Sequence, residues 1–202
     1  MSMNELFTWT IYILVGFLSG SIMFCKLIPQ YVLGVDICSV SPDQNPGAMN
    51  VFIHCGRFWG FICLILDMLK GYIPISLAIR HLDPTCQIFS IMMLSPVLGH
   101  ALAPFNHFHG GKCIATAFGV MLALYPVNQI GILLAVFYIV FSTILKIPDH
   151  RLRSMAVFSL FGIVAASILI YRNQNVIAMG CILISLVAFA KHTMYFSPNR
   201  SS

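Results

Sequence analysis

"SPVLGHALAPFNHFHGGKCIAT", residues 95–116, places three histidines, a glycine pair and a lysine between two strongly apolar runs. Backbone that is not helical is accommodated at membrane depth only where its N–H and C=O groups meet water, protein or a ligand. The stretch therefore predicts a polar loop at a membrane boundary. It is also the first place in this chain to look for chemistry.

The composition indicates a chain whose solvent is mostly lipid. Of 202 residues, 59% are apolar and 8% are Asp, Glu, Lys or Arg, against roughly 25% charged residues in ordinary soluble domains. So few charges do not cover a water-facing surface. The N-terminal segment "MSMNELFTWTIYILVGFLSGS" lacks a basic start and a clear cleavage site, which predicts a retained first span rather than a signal peptide.

Apolar runs of about 20 residues, broken by polar or Pro/Gly segments, predict an all-α integral membrane protein with seven transmembrane helices. The fourth run is short for a full span and directly follows the glycine pair, so we expect the chain to enter the membrane there from a loop below the surface. We expect one integral-membrane domain over residues 1–202. The runs lie near 5–28, 57–80, 86–105, 113–126, 128–146, 154–171 and 174–191.

The distribution of lysine and arginine predicts the orientation, because cytoplasmic loops carry an excess of both. If seven spans alternate, eight basic residues fall on one side and two on the other. We therefore expect a multi-pass protein of the cell membrane, with its N-terminus outside, its C-terminus in the cytoplasm and its long polar loops facing the cytoplasm. The eight are Lys26, Arg57, Lys112, Lys146, Arg151, Arg153, Lys191 and Arg200, and the two are Arg80 and Arg172.

The basic face also suits an anionic substrate or a lipid headgroup. The seven cysteines form no CxxC pair and are expected to be reduced packing residues. His107 and His109 are expected to be solvated, and no histidine spacing predicts a metal. No cofactor and no nucleic-acid partner is expected, and the oligomeric state is left open.

Two predicted cytoplasmic loops carry candidate binding groups. The loop "VDICSVSPDQNPGAMNVF", 35–52, holds Asn45 and Asn50 around a Pro-Gly turn, and is either a hydrogen-bonded connection or a binding loop. In the second loop, Gly110 and Gly111 let backbone N–H groups approach an anion, and Lys112 adds a full charge. The alternative for this loop is an interfacial turn with a snorkelling lysine.

Charges within the predicted spans are the other candidates. Asp67 and Lys70 are three residues apart on one predicted helix, so they share a face and are expected to pair in the bundle interior. The pair is either structural or part of a substrate site. His100, near the cytoplasmic end of the third span, is either a buried hydrogen-bonding residue or a base.

Five segments resemble the bacterial acyl-phosphate:glycerol-3-phosphate acyltransferase family in order and spacing. That family reads approximately GSIPFG, GSGNPGATN, LDxxKG, GHxFPVFxxFKGGKGVATxxG and a late basic-His pair. The block from GH to GGK is highly specific, and the resemblance covers most of the chain. The corresponding segments are "GSIMFCKLI" (20–28), "NPGAMNV" (45–51), "LDMLKGYIPI" (66–75), "LGHALAPFNHFHGGKCIATAFGVMLAL" (98–124) and "AKH" (190–192).

The resemblance implies a seven-span enzyme that transfers a fatty acyl group from acyl phosphate to the 1-hydroxyl of glycerol 3-phosphate. It implies phosphate binding by the polar and glycine positions Ser21, Lys70, Gly110, Gly111, Lys112 and Thr116. Asn45 or Asn50 is then expected to contact the carbonyl or oxyanion. The base is His100, His192 or a phosphate oxygen of a substrate itself.

The chain also departs from the family pattern. Asp43 stands in the segment that replaces GSGN, where an unpaired carboxylate would repel phosphate, and Cys38 replaces an arginine. The Ser-rich third motif has become "KIPDHRLRSMAV", and no late glutamate follows His192. A non-catalytic lipid-binding paralogue would explain these altered loops and remains as an alternative. A small-anion transporter would share the seven spans and the intramembrane Lys/Asp pair, but it should show paired repeats, and none is evident in the sequence.

Overall fold

The computed structural model describes residues 2–194, and every regular element in that range is helical. Met1 and residues 195–202, which include Arg200 of the orientation argument, lie outside the described residues. The α-helices in chain order are α1 (Met3–Ser21), α2 (Phe24–Val32), α3 (Ile37–Val40), α4 (Ala48–His54), α5 (Arg57–His81), α6 (Phe89–Leu102), α7 (Ile114–Ala123), α8 (Gly131–Ile139), α9 (His150–Tyr171) and α10 (Asn175–Met194).

Three of these helices, α5, α9 and α10, are long and apolar enough to cross a membrane by themselves. The pair α1 and α2 qualifies as a fourth span if it is taken as one bent element. The all-α membrane architecture is thereby confirmed. The remaining apolar helices are shorter than the roughly 20 residues that a full span needs, so the count of seven spans and the orientation stay predictions.

The first apolar run is not the single helix predicted over 5–28. α1 and α2 meet at 44°, and Ile22 between them has extended backbone torsions, φ −74° and ψ 119°. The carbonyl of Ile22 accepts a hydrogen bond of 2.6 Å from Nζ of Lys70. The break leaves the Ile22 carbonyl without a hydrogen-bond partner within the helix, and Lys70 provides one. Backbone polar groups at membrane depth need such a partner.

Two further elements differ from the sequence prediction. The 35–52 loop contains the short helices α3 and α4, and Asp36 caps α3 by accepting from the backbone N–H of Cys38. The fifth run ends in a π-helical turn, Val140–Ile144, that continues α8. Both features shorten the irregular connections on the face that carries the candidate loops.

Glycines let helix backbones touch at two crossings. A Cβ at Gly20 would collide with the backbone carbonyl of Pro96, and a Cβ at Gly99 would collide with the backbone carbonyl of Phe17. The backbones of α1 and α6 therefore touch at both glycines. A Cβ at Gly71 would similarly meet the carbonyl of Thr116, which joins α5 to α7. Close backbone approach through small residues is the usual way in which helices associate in lipid, where burial of apolar surface gives no advantage.

Candidate active site

The 43–50 loop is folded around the side chain of Asp43. Its Oδ1 accepts hydrogen bonds from Nδ2 of Asn50 at 2.8 Å and from the backbone N–H of Asn45 at 3.3 Å. Nδ2 of Asn50 also donates to the backbone carbonyl of Asn45 at 2.7 Å. The amide of Asn50 therefore holds the loop together.

Asp43 joins this loop to the glycine-lysine loop. Its Oδ2 lies 2.7 Å from Nζ of Lys112. Burial raises the pKa of the Asp43 carboxyl, but the hydrogen bond and charge of Lys112, aided by Asn50, outweigh burial and hold that pKa below its usual value. Asp43 is ionised at neutral pH, and its charge is paired with a cation. The structure thus brings together two loops that the sequence presents separately.

Gly110 and Gly111 are glycines because they lie against the end of α6. A Cβ at Gly110 would collide with the carbonyl oxygens of His100 and Ala101, and a Cβ at Gly111 with Nε2 of His100. The backbone N–H of Gly111 donates to the carbonyl of His100 at 3.2 Å. The loop is consequently fixed on α6, with Lys112 at its outer end.

The two candidate bases are both buried. His100 is 4% exposed and His192 is 1% exposed. Nδ1 of His192 lies 2.7 Å from the carbonyl of Ala188 and therefore donates to it, which leaves Nε2 as an acceptor in the neutral ring.

The predicted pairing of Asp67 with Lys70 is confirmed. Nζ of Lys70 lies 2.8 Å from Oδ1 of Asp67, and both side chains are buried. Sγ of Cys25 donates to Oδ2 of Asp67 at 3.0 Å. Because Lys70 also binds the carbonyl of Ile22, its ammonium joins α5 to the break between α1 and α2.

Ser21 and Thr116 occupy buried positions beside this arrangement. Oγ of Ser21 donates to the carbonyl of Phe17 at 2.7 Å. The backbone of Thr116 packs against Gly71, next to Lys70. Their places fit the predicted phosphate contacts, and those roles stay predictions.

Four of the predicted site residues carry a buried polar atom that lacks a hydrogen-bond partner in the described part of the chain. Such atoms cost roughly 1–3 kcal/mol each when nothing satisfies them, and in native proteins they call for an explanation such as a water or a ligand. The four atoms are Oδ1 of Asn45, Nδ1 of His100, Oγ1 of Thr116 and Nε2 of His192.

Sequence reasoning missed one contributor, Asn106. Its Oδ1 accepts from Nζ of Lys26 at 2.5 Å, and its Nδ2 donates to the carbonyl of His109 at 2.6 Å. The available signal was the Pro-initiated turn in which Asn106 stands, since Asn in turns bonds to nearby backbone. Asn106 connects α2 to the chain that leads into Gly110.

The fold and the site define a helical membrane protein with a polar, lysine-bearing site built from loops at the ends of its helices. The particular family follows from comparison with known proteins. The chain belongs to the glycerol-3-phosphate acyltransferase family, whose model matches residues 10–197.

Curated relatives share a large part of the sequence. A glycerol-3-phosphate acyltransferase of Hydrogenobaculum sp. (strain Y04AAS1) is 39% identical over 127 residues, which cover 61% of this chain and 64% of that protein. One of Myxococcus xanthus (strain DK1622) is 39% identical over 114 residues, 56% of this chain and 59% of that protein. Each match thus spans less than two thirds of the relative's length.

Two crystal structures have the same fold over nearly the whole chain. Both are of PlsY (YgiH), an integral membrane glycerol 3-phosphate acyltransferase. The glycerol 3-phosphate form has a TM-score of 0.78 at 28% identity and covers 93% of this chain and 89% of that chain. The lysophosphatidic acid form has a TM-score of 0.74 at 26% identity, with the same coverage.

Proposed function

We propose that this protein transfers a fatty acyl group from acyl phosphate to the 1-hydroxyl of glycerol 3-phosphate, giving lysophosphatidic acid for phospholipid biosynthesis. Family membership and the similarity to PlsY support the reaction class. The observation that carries the proposal is the set of unsatisfied buried polar atoms at Asn45, His100, Thr116 and His192. A polar substrate supplies partners for such atoms.

The reaction needs no covalent enzyme intermediate, because acyl phosphate is already activated. The hydroxyl oxygen of glycerol 3-phosphate attacks the carbonyl carbon, and the bond from that carbon to the phosphate oxygen breaks. The leaving phosphate takes the bonding electron pair and finally the hydroxyl proton, so the products are an ester and hydrogen phosphate. The protein's tasks are to orient the hydroxyl and to stabilise the developing oxyanion.

The geometry supports a division of these tasks. Lys112 offers a charge-assisted contact to a phosphate at the outer end of the loop that packs on His100. Asn45, whose Oδ1 lacks a partner in the described residues, is placed to reorient its amide toward a substrate. The proton moves directly to a phosphate oxygen or by way of His192, whose Nε2 is an available acceptor.

The same proposal includes the membrane topology. Seven spans, in which the shorter helices α6, α7 and α8 count as spans, leave the N-terminus outside and the loops of Asp43 and Lys112 on the cytoplasmic side. The eight-to-two distribution of basic residues supports this orientation. Glycerol 3-phosphate, which is water-soluble, then reaches the site from the cytoplasm, while the acyl donor arrives through the bilayer.

Purified full-length protein incubated with palmitoyl phosphate and labelled glycerol 3-phosphate tests the reaction directly. We expect lysophosphatidic acid to form, faster than with palmitoyl-CoA at the same concentration. Lys112→Ala should lower kcat/KM by at least about tenfold, the effect of losing a charge-assisted contact. Lys146→Ala, at an exposed position in another loop, is the control and should retain normal turnover.

The outcomes separate the alternatives. Equal or faster turnover with palmitoyl-CoA would overturn the donor assignment. A folded protein without product formation from either donor would instead indicate a lipid-binding or transport protein. Normal turnover of Lys112→Ala would remove the phosphate site from this loop.

A further inference from the structure

A cleft of about 310 Å³ opens at the break between α1 and α2. One wall is the break itself with the first turns of α2, including Lys26 and Gln30. The other wall is the turn that follows α6, with Asn106 and His107. The cleft is thus a polar recess beside the candidate site. Ser21, one of the predicted phosphate contacts, lines it, whereas Lys112 and Asp43 do not.

The charge of Lys26 distinguishes this cleft. In the described part of the chain there are two ion pairs, Lys70 with Asp67 and Lys112 with Asp43. Nζ of Lys26 instead donates to the neutral amide oxygen of Asn106. Because an amide satisfies a donor without cancelling its charge, Lys26 brings a net positive charge into the cleft.

The mouth of the cleft is apolar and exposed. Leu27, Tyr31 and Phe105 line it and are 39%, 77% and 67% exposed. These side chains are suited to contact with the acyl region of a bilayer, and Tyr is enriched at the membrane interface. An occupant with an anionic head and an apolar tail matches the charge inside and the apolar surface at the mouth.

We propose that this cleft binds the phosphate group of acyl phosphate, the membrane-borne substrate, with Lys26 as its cationic contact. The assignment rests on the proposed function for the identity of the amphiphile. Asn106 is a positioning residue, since it holds Lys26 and also the carbonyl of His109, one residue before Gly110. The two substrate phosphates then bind at separate lysines, Lys26 and Lys112, which keeps two dianions from repelling each other across one site.

The first test is steady-state kinetics of Lys26→Met, with Lys146→Met as the matched control at an exposed loop position. We expect the KM for palmitoyl phosphate to rise about tenfold or more, as for the loss of one charge-assisted hydrogen bond, while the KM for glycerol 3-phosphate stays within about twofold. Lys26→Arg should restore most of the donor affinity, because the charge is kept. Lys26→Gln, which keeps a donor for Asn106, provides an uncharged variant if Lys26→Met does not fold.

The second test measures binding without turnover. Dodecyl phosphate, which has no acyl group to transfer, is titrated into full-length protein in phosphatidylcholine nanodiscs. Binding of dodecyl phosphate that weakens about tenfold in Lys26→Met or Lys26→Gln, and not in Lys146→Met, supports the site. This result would support the site even if the protein showed no acyltransfer activity. In that case only the proposed function would fail. Unchanged dodecyl phosphate affinity in both uncharged variants, or a raised KM for glycerol 3-phosphate in place of palmitoyl phosphate, would overturn the assignment.

Discussion

Nζ of Lys112 lies 2.7 Å from Oδ2 of Asp43, although the two residues are 69 positions apart in the chain. The ion pair connects the loop that precedes α4 to the loop that precedes α7. It also means that a phosphate arriving at Lys112 meets a lysine that already contacts a carboxylate. Binding of the anion must therefore compete with Asp43.

Replacing Asp43 by Asn should strengthen the binding of glycerol 3-phosphate. The substitution removes a negative charge next to the proposed phosphate position while keeping an acceptor for Asn50, so we expect the KM for glycerol 3-phosphate to fall about threefold to tenfold. Initial rates at saturating palmitoyl phosphate give this value. Asp83→Asn, in the connection before α6, serves as the control, and a higher KM in Asp43→Asn would show that the carboxylate binds the substrate itself.

The difference in thermal stability between wild type and Asp43→Asn should not vary between about pH 5.5 and pH 8.5, because the carboxyl is ionised throughout that range. Lys112 and Asn50 hold the pKa of Asp43 below its usual value. The stability that the ion pair contributes is therefore fully present above the unfolded pKa, and it is lost as the pH falls through the lower folded pKa. Thermal unfolding in detergent should show wild type and Asp43→Asn converging below about pH 4, and convergence already near pH 6 would contradict the ion pair.

Alanine at position 111 should disturb the packing of the loop on α6. Its Cβ would collide with Nε2 of His100, so His100 or the loop must shift, at a cost of about 1–3 kcal/mol. We expect a lower melting temperature and at least a tenfold loss of turnover in Gly111→Ala. The double variant Gly111→Ala with His100→Ala should regain melting temperature, and failure to do so would place the strain elsewhere.

The buried pair of Asp67 and Lys70 should respond differently to single and double replacement. Lys70→Met leaves a buried carboxylate unpaired and is expected to cost about 3–5 kcal/mol, whereas Lys70→Met with Asp67→Leu should recover most of that loss. Urea unfolding in detergent measures both. If Lys70 also serves the substrate, the double variant will be stable and still inactive, while an active double variant would make the pair purely structural.

The proposed topology predicts where the chain ends are found. A reporter fused after Ser202 should be cytoplasmic and one before Met1 should be external, because an odd number of spans separates them. Protease protection of both fusions in oriented vesicles gives the answer. Both reporters on one side of the membrane would rule out seven spans.

Local patterns in the sequence predict the features that depend on a few neighbouring residues. The spacing of Asp67 and Lys70 is enough to predict their pairing, because residues three apart share a helix face. The glycine pair predicts that backbone N–H groups approach an anion, which stays a prediction, and in the structure the pair packs against the end of α6. What the sequence did not predict is that Gly111 approaches His100, since the identity of a tertiary neighbour is not encoded in local spacing.

Features that depend on distant contacts were missed for the same reason. The break at Ile22 has no proline or glycine of its own, and Lys70, 48 residues later, binds the carbonyl that it frees. To predict that Asp43 pairs with Lys112, one must know how two loops are placed relative to each other. From the sequence alone, Asp43 is expected to repel phosphate unless a cation or a protonated oxygen intervenes. In the structure Lys112 is that cation, and Asp43 is the residue around which the first loop folds.

The crossings at Gly20 and Gly99 determine how reproducibly the site is assembled. Ser21 directly follows one of these glycines and His100 directly follows the other, so each emerges from a point where main chain touches main chain. Main-chain contacts have no rotamers to change. Main-chain contacts therefore fix the separation of the Ser21 and His100 backbones, and we expect adaptation to a different membrane to take place in the lipid-facing surfaces of the helices and not at these crossings.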